Sequence, residues 1–228
     1  MKIIKNLIPS LLIVLLWAGC DIIDSPYIIV SDEETISADF PALNESSVYR
    51  KVLFEEYTGH RCQNCPNGHR KIHELQGIFG DTLVPICIHA TSLAAPTDEF
   101  PTDFRTVIGN DLASEFQIDG IPAGIVNRIP EPGGWGIPRW QSKIQAVDCQ
   151  TPLAAIQIVN QYNYQMIGKL KVNAKVTMLS ENSNPLYLAL YIVEDSIISK
   201  QIDGTSEIED YVHNHVLRGR CSSPSGRE

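Results

Sequence analysis

The sequence predicts an α/β protein whose C-terminal part is antiparallel β structure. Between residues 51 and 147, short apolar runs alternate with amphipathic helical patterns, which is typical of a sheet that is parallel at least in part. Past Asp148 the pattern changes to β-type runs separated by polar turns. Cys62 and Cys65 fall where the first apolar run meets the first helical pattern, and this junction is the candidate site of chemistry.

The N-terminus is typical of an export signal. Two lysines precede an apolar run from Leu7 to Trp17, which is shorter than the ~20 residues that a membrane-spanning helix needs. The Ala-Gly ending before Cys20 resembles that of a bacterial lipoprotein signal, in which the cysteine becomes the lipidated first residue. We expect residues 1–19 to be a signal peptide and Cys20 to bind the membrane through lipid; a secretory signal with an incidental cysteine is the alternative.

Charge and composition narrow the possible partners. The formal net charge is −9, and apart from the two signal lysines no run of basic residues appears. Binding of nucleic acid requires a basic surface, so we expect no nucleic-acid partner. No Gly-rich phosphate loop appears, and Pro66 after the second cysteine excludes a haem-attachment motif, so no cofactor is expected. Six cysteines are typical of an oxidising, exported setting.

Residues 20–47 mix acidic residues, Ser and Pro with few apolar residues, which is typical of a tether between a bilayer and a folded domain. Folding is expected to begin near Val48. The change of pattern predicts one domain over residues 48–150 and a β-rich domain over residues 151–228.

Apolar spacing and helix signals define the elements of the first domain. Pro66 occupies a helix position that tolerates a missing N–H, and Gly80 marks the end of that helix. Trp140, Ile144 and Val147 are expected to face inward from the last helix. The predicted order is strand 51–57, helix 65–79, strand 83–89, helix 102–116 capped by Thr102, extended segment 120–126 and a helix from Pro138.

The β-rich part shows alternating apolar residues, most regularly from Leu170 to Met178. The expected strands are 153–159, 169–179 and 186–193, with a polar turn at 180–185 and room for a fourth strand after residue 196. Three or four such strands predict a small, incomplete antiparallel β-sandwich with an open edge.

The two thiols are placed for reversible disulfide chemistry. Unpaired backbone N–H groups at a helix start favour a thiolate, and nearby basic residues are expected to add positive charge: His60, Arg61, His69 and Arg70. Such surroundings can lower a cysteine pKa from about 8.5 to roughly 3.5–7.5. A redox-active pair is favoured over a permanent disulfide and over a metal site with His69 and His73. Of the other cysteines, Cys87, Cys149 and Cys221 cannot all pair with each other, and Cys87 is expected to be an inert core thiol.

Two motifs together resemble the thioredoxin superfamily. The first is Glu-Glu-Tyr-Thr-Gly-His-Arg-Cys-Gln-Asn-Cys-Pro at 55–66, and the second is Gly-Ile-Pro-Ala-Gly at 120–124. The resemblance implies a thioredoxin-like domain in which a cis peptide bond before Pro122 faces the disulfide and turns the preceding backbone toward an extended substrate. It also implies that Cys62 attacks the substrate and Cys65 resolves the mixed disulfide.

An acidic residue before the thiol pair completes that resemblance. Glu56 matches the place where thioredoxins carry a buried acid that helps to deprotonate the second cysteine, and Glu55 is the competing candidate. Strand alternation points only one of them into the sheet interior, and the sequence alone does not choose which. Solvated charges at a strand end are the alternative reading for both.

The chain as a whole resembles the twenty-eight-kilodalton outer-membrane lipoprotein family. The resemblance rests on the signal, the 55–66 block, the β-rich part and Tyr-Val-His-Asn-His-Val-Leu-Arg at 211–218. It implies a lipid-anchored protein of the outer membrane. In that family the β-domain continues past the His-x-His block, whereas here the pattern stops at Arg218, so we expect a truncated or altered β-domain. His213 and His215 are expected to cap or pack rather than to bind a ligand.

Two functions are consistent with these features. The first is thiol-disulfide exchange on exported, thiol-containing proteins through Cys62 and Cys65. The second is non-catalytic binding or adhesion to surface partners, in which the same fold serves as a scaffold.

Overall fold

The computed structural model describes residues 39–148, 151–163, 169–184 and 186–220. The predicted signal peptide, the lipidation site Cys20, residues 20–38 of the tether, Cys149 and Cys221 lie outside the described residues. Within the described ranges, no helix has the length and apolar character needed to cross a membrane.

The main sheet contains five of the described strands, in the order β3-β1-β2-β9-β6. β1 pairs in parallel with β2 and antiparallel with β3, and β9 joins β2 in parallel with Cys87 opposite Val216. The strands are β1 (Val52–Thr58), β2 (Leu83–His89), β3 (Ala123–Val126), β4 (Ala154–Asn163), β5 (Lys169–Met178), β6 (Tyr191–Glu194), β7 (Ile197–Asp203), β8 (Ser206–His213) and β9 (Val216–Arg220). The helices are α1 (Cys65–Phe79), α2 (Val107–Glu115) and α3 (Ile137–Asp148).

Strand alternation gives the main sheet two apolar faces. On one face, Phe54 of β1 packs with Ile72 and Leu75 of α1 and with Trp140 and Ile144 of α3. The opposite face carries Tyr57, Ile88 and Ile125, which pack with Leu112 of α2 and with Phe116 directly after it. The α/β class is therefore confirmed, as is the inward orientation of Trp140, Ile144 and Val147.

The second helix is shorter than the pattern predicted. It begins at Val107 rather than at Thr102, and its cap is Thr106, whose Oγ1 accepts a hydrogen bond from Gly109 N–H at 3.0 Å. Phe104, which the periodic stripe placed on this helix, precedes it and packs among the histidines described below. The apolar spacing was therefore misleading because Phe104 is buried by tertiary packing from the irregular segment before the helix.

The β-rich part forms antiparallel pairs, as expected, but these do not all stand apart from the main sheet. β4 pairs with β5 and β7 pairs with β8 in two separate two-stranded sheets, whereas β6 and β9 extend the main sheet. The strand predicted at 186–193 is limited to Tyr191–Glu194. The domain boundary at residue 150 stays a prediction.

Candidate active site

The two cysteines are joined as a disulfide at the N-terminal end of α1. Cys62 is 3% exposed and Cys65 is fully buried. The peptide bond between Ile121 and Pro122 is cis, and the carbonyl oxygen of Ile121 lies 3.7 Å from Cys62 Sγ. The fold therefore brings the Ile121–Pro122 peptide unit to the disulfide, although the two motifs are far apart in sequence.

Glu56 lies on the sheet face that packs against α1. Its Oε2 is 3.4 Å from Cys87 Sγ and 3.7 Å from His69 Nε2. A Cβ placed on Gly68 would overlap Glu56 Oε1, so α1 passes directly over this carboxyl. Burial raises the pKa of Glu56 to about 8, against a smaller opposing effect of the hydrogen bond from Cys87. A carboxyl with such a pKa can accept or give a proton near neutral pH.

Glu55 faces the opposite side of β1, and its carboxylate pairs with Arg128. Arg128 Nη2 donates to Glu55 Oε1 at 2.8 Å, and Arg128 Nε donates to the same oxygen at 3.1 Å. Burial raises the pKa of Glu55, and the Arg128 guanidinium opposes that shift. Alternation along the strand therefore leaves Glu56, not Glu55, on the side of α1, and both glutamates are buried rather than solvated. The proton-transfer role of Glu56 stays a prediction.

Cys87 is buried beside Glu56 on the neighbouring strand β2. Burial raises its pKa well above the ordinary value, and the Glu56 carboxyl adds to the shift. The thiol therefore stays protonated and unreactive, in line with the expected core cysteine.

The β7–β8 hairpin covers the segment between β1 and α1. Ile202 N–H donates to the His60 carbonyl oxygen at 2.9 Å, and Gly204 N–H donates to the Gln63 carbonyl oxygen at 2.8 Å. At the edge of this contact, Arg70 of α1 forms an ion pair with Asp203 at 2.8 Å.

A buried amide strengthens this cover. Gln201 is fully buried, and its Nε2 lies 3.2 Å from the Cys62 carbonyl oxygen, 3.4 Å from that of Gly59 and 2.8 Å from that of Ile202. The hairpin therefore pairs with the backbone on both sides of Cys62 and with the Cys62 carbonyl oxygen itself, although the sequence assigned it to a separate domain.

One cluster joins three buried histidines, His60, His89 and His213, with the half-buried His69. The rings of His89 and His213 are 5.6 Å apart, and Phe104 lies 4.6 Å and 4.8 Å from them, respectively, between ring centroids. His60 stacks at 5.6 Å on Phe100. The packing role expected for His213 agrees with this arrangement. His89 was missed because nothing in its local sequence links it to the cluster, and His60 was expected as a cation near the thiols rather than as a packed ring.

The expectation that His60 and His69 add positive charge is wrong. Burial lowers the pKa of His60 to about 4, of His69 to about 3 and of His213 to about 4, and it lowers that of His89 well below the ordinary value. These histidines are neutral at neutral pH. The remaining cations near the pair are both engaged, since Arg70 pairs with Asp203 and Arg61 donates to the Ser92 carbonyl oxygen.

His69 is held by two polar side chains instead of by sulfur. Its Nε2 lies 3.0 Å from Thr58 Oγ1 and its Nδ1 lies 2.7 Å from Tyr211 OH. His73 is exposed. Among the described residues, no three His, Cys, Asp or Glu side chains are arranged to hold a metal ion. The geometry thus does not support the alternative of a metal site with Cys62, Cys65, His69 and His73.

A protein-family model matches the C-terminal half of the chain. The model of the family described as outer membrane protein Omp28 matches residues 109–228, which include Pro122 and the β7–β8 hairpin but not the two cysteines. No curated protein matches the chain.

Two solved structures are similar. HBP35 of Porphyromonas gingivalis is 17% identical with a TM-score of 0.59, over 78% of this chain and 58% of that one. This chain therefore spans less than two thirds of HBP35. Protein AGR_C_4864 from Agrobacterium tumefaciens is 11% identical with a TM-score of 0.45, over 76% of this chain and 72% of that one. The likeness to HBP35 concerns the fold alone.

Proposed function

Because the chain belongs to the outer membrane protein Omp28 family, we propose that it acts in the cell envelope as a thiol-disulfide exchange protein for exported polypeptides. The observation that carries the proposal is the Cys62–Cys65 disulfide at the start of α1, 3.7 Å from the carbonyl oxygen before Pro122 and on the same side of the sheet as the buried Glu56.

The exchange is a pair of displacements at sulfur. A substrate thiolate attacks Cys62 Sγ, the Cys62–Cys65 bond breaks, and Cys65 leaves as a thiolate that takes a proton from Glu56. A second substrate thiolate then attacks the substrate sulfur of the mixed disulfide and releases Cys62 as a thiolate. Cys62 and Glu56 each take one proton from solvent, which received the two protons lost by the substrate thiols. Two electrons and two protons have moved from the substrate dithiol to the cysteine pair, and the reverse sequence reduces a substrate disulfide.

The redox test uses mature protein in which Cys149 and Cys221 are both replaced by Ser, so that neither can exchange with Cys62 or Cys65. We expect Cys62 and Cys65 to equilibrate with a glutathione buffer at a potential above about −300 mV, because structural disulfides lie below that value. Cys62→Ser should reduce exchange with a dithiol peptide to the uncatalysed rate. A pair that resists the buffer, together with unchanged exchange in Cys62→Ser, contradicts the proposal.

Lipid on Cys20 would place this chemistry at a membrane surface. The family description supports the outer membrane, and the small-small-Cys sequence supports lipidation. Cys20→Ala should move the protein from the membrane fraction to the soluble envelope fraction, as measured by fractionation. Retention in the membrane by Cys20→Ala would rule out the lipid as the anchor.

A binding scaffold is the second candidate, and one observation favours it: the disulfide is almost wholly buried, with Cys62 only 3% exposed. A permanent disulfide needs no access. In that case replacement of both thiols should leave binding to envelope or surface partners intact, whereas an exchange protein would lose its mixed-disulfide complexes.

A further inference from the structure

We infer that the β7–β8 hairpin occupies the polypeptide-binding surface of the thiol pair and that an extended substrate segment must displace it. This inference rests on the proposed exchange function and adds the substrate class and its regulation: a chain segment in extended conformation, with free backbone N–H groups, that competes with the protein's own hairpin.

The hairpin makes the contacts that an extended peptide would make. Ile202 N–H of β7 donates to the carbonyl oxygen of His60, and Gly204 N–H, in the turn directly after β7, donates to that of Gln63. Pairing of main-chain groups with an exposed backbone edge is a general mode of peptide recognition, and it does not depend on substrate sequence. The acceptors that flank Cys62 are thus occupied from within the chain.

The contacts that hold the hairpin near Cys62 are polar. Gln201 links the hairpin to the carbonyl oxygens of Gly59 and Cys62, and the ion pair between Arg70 and Asp203 is largely exposed, with the side chains 57% and 31% accessible. Hydrogen bonds and exposed ion pairs are replaceable by equivalent groups of a ligand or by water at small net cost.

The opposite end of the hairpin is anchored by apolar contact. His213, at the end of β8, packs 4.8 Å from Phe104 and 4.9 Å from Tyr211 between ring centroids. β7 and β8 pair only with each other among the described strands, and most of β8 is exposed. An isolated two-stranded hairpin is only marginally stable, so opening of the tip near Gly204 costs little free energy. The end at His213 stays packed and serves as the hinge.

The test measures access to the disulfide with a small phosphine reductant. Arg70→Asp and Asp203→Arg each break the ion pair, and we expect the rate of reduction of Cys62–Cys65 to rise about two- to fivefold in each, the size expected for an exposed pair. The double variant restores opposite charges and should return to the wild-type rate. Gln201→Glu places a carboxylate against the three carbonyl oxygens and should raise the rate about tenfold or more.

Arg105→Asp is the matched control, because Arg105 forms an ion pair with Asp103 outside the hairpin, at 2.8 Å. It should leave the rate unchanged. Hydrogen exchange of the Ile202 and Gly204 amides is measured in parallel, and it should accelerate in the opening variants while α1 stays protected. Equal rates in wild type and single variants, or a double variant that fails to recover, would overturn the inference.

Exchange with a dithiol peptide separates the two proposals. Wild-type exchange that is unaffected by the opening variants overturns the hairpin inference and leaves the exchange function standing. Faster reduction by phosphine without any peptide exchange rejects the exchange function and the extended substrate, while it retains the hairpin as a cover of a structural disulfide.

Discussion

At the scale of single residues, Glu56 is the group whose protonation matters most. Its pKa is raised to about 8 by burial, from 4.5 when exposed. Between these values the folded state binds a proton that the unfolded state lacks, so the stabilisation is present at low pH and is lost as pH rises toward the folded pKa. The carboxyl therefore makes the protein less stable at alkaline pH.

Replacement of Glu56 by Gln, which mimics the protonated acid, should remove this dependence. Between pH 6 and pH 9 the wild type is expected to lose on the order of 2 kcal/mol more of its free energy of unfolding than Glu56→Gln, measured by urea denaturation. Exchange by the variant should also slow on the order of 100-fold, because the group proposed to give a proton to Cys65, and to accept it in the reverse reaction, is gone. If the free energy of unfolding depends on pH in the same way in both proteins, the interpretation that burial keeps Glu56 protonated in the folded state is wrong.

At the scale of elements, α1 lies close against the Glu56 side chain at Gly68. A Cβ there would overlap Glu56 Oε1 and stand 2.9 Å from Trp140 Cη2, whereas a Cβ on Gly77 of the same helix meets nothing within 4 Å. The two glycines thus offer a matched pair in one helix.

Gly68→Ala should lower the free energy of unfolding by about 1–3 kcal/mol, because extra volume in a packed core forces neighbours to move. Gly77→Ala should raise it by roughly 0.5–1 kcal/mol, since alanine favours helix and no contact opposes it. Urea denaturation of both variants measures the contrast. Equal effects would show that α1 is not pressed on the carboxyl.

The elements also show what sequence can and cannot predict. The bounds of α1 and β2 were predicted correctly because their apolar spacing and end signals are local. The placement of the β7–β8 hairpin was not, since Gln201 and Cys62 meet across 139 residues and a buried glutamine has no periodic signature. Glu56 was the candidate chosen from a family resemblance, while the direction of each glutamate needed the register of β1.

At the scale of the whole molecule, buried histidines oppose Glu56 in setting the dependence of stability on pH. His60, His69, His89 and His213 all have pKa values lowered by burial. An exposed histidine takes up a proton near pH 6.5, so below that pH the unfolded state binds more protons than the folded state. Stability due to these groups is therefore present above pH 6.5 and is lost as pH falls toward about 4.

We expect the urea midpoint to fall steeply between pH 6.5 and pH 4.5, with an uptake of about two to four protons on unfolding. The histidines outweigh Glu56 here because several groups oppose one. His60→Phe should reduce the slope, since Phe can pack in the same aromatic cluster without titrating, and exposed His73→Asn is the control. An unchanged slope in His60→Phe would show that its burial does not control acid unfolding.

The position of β9 has a consequence for biogenesis. This strand completes the centre of the sheet against β2, yet Cys87 and its partner Val216 are about 130 residues apart in the chain. During synthesis the sulfur pair therefore emerges long before β7, β8 and β9. The newly made polypeptide passes through a stage in which its sulfurs are open to whichever oxidant the compartment supplies.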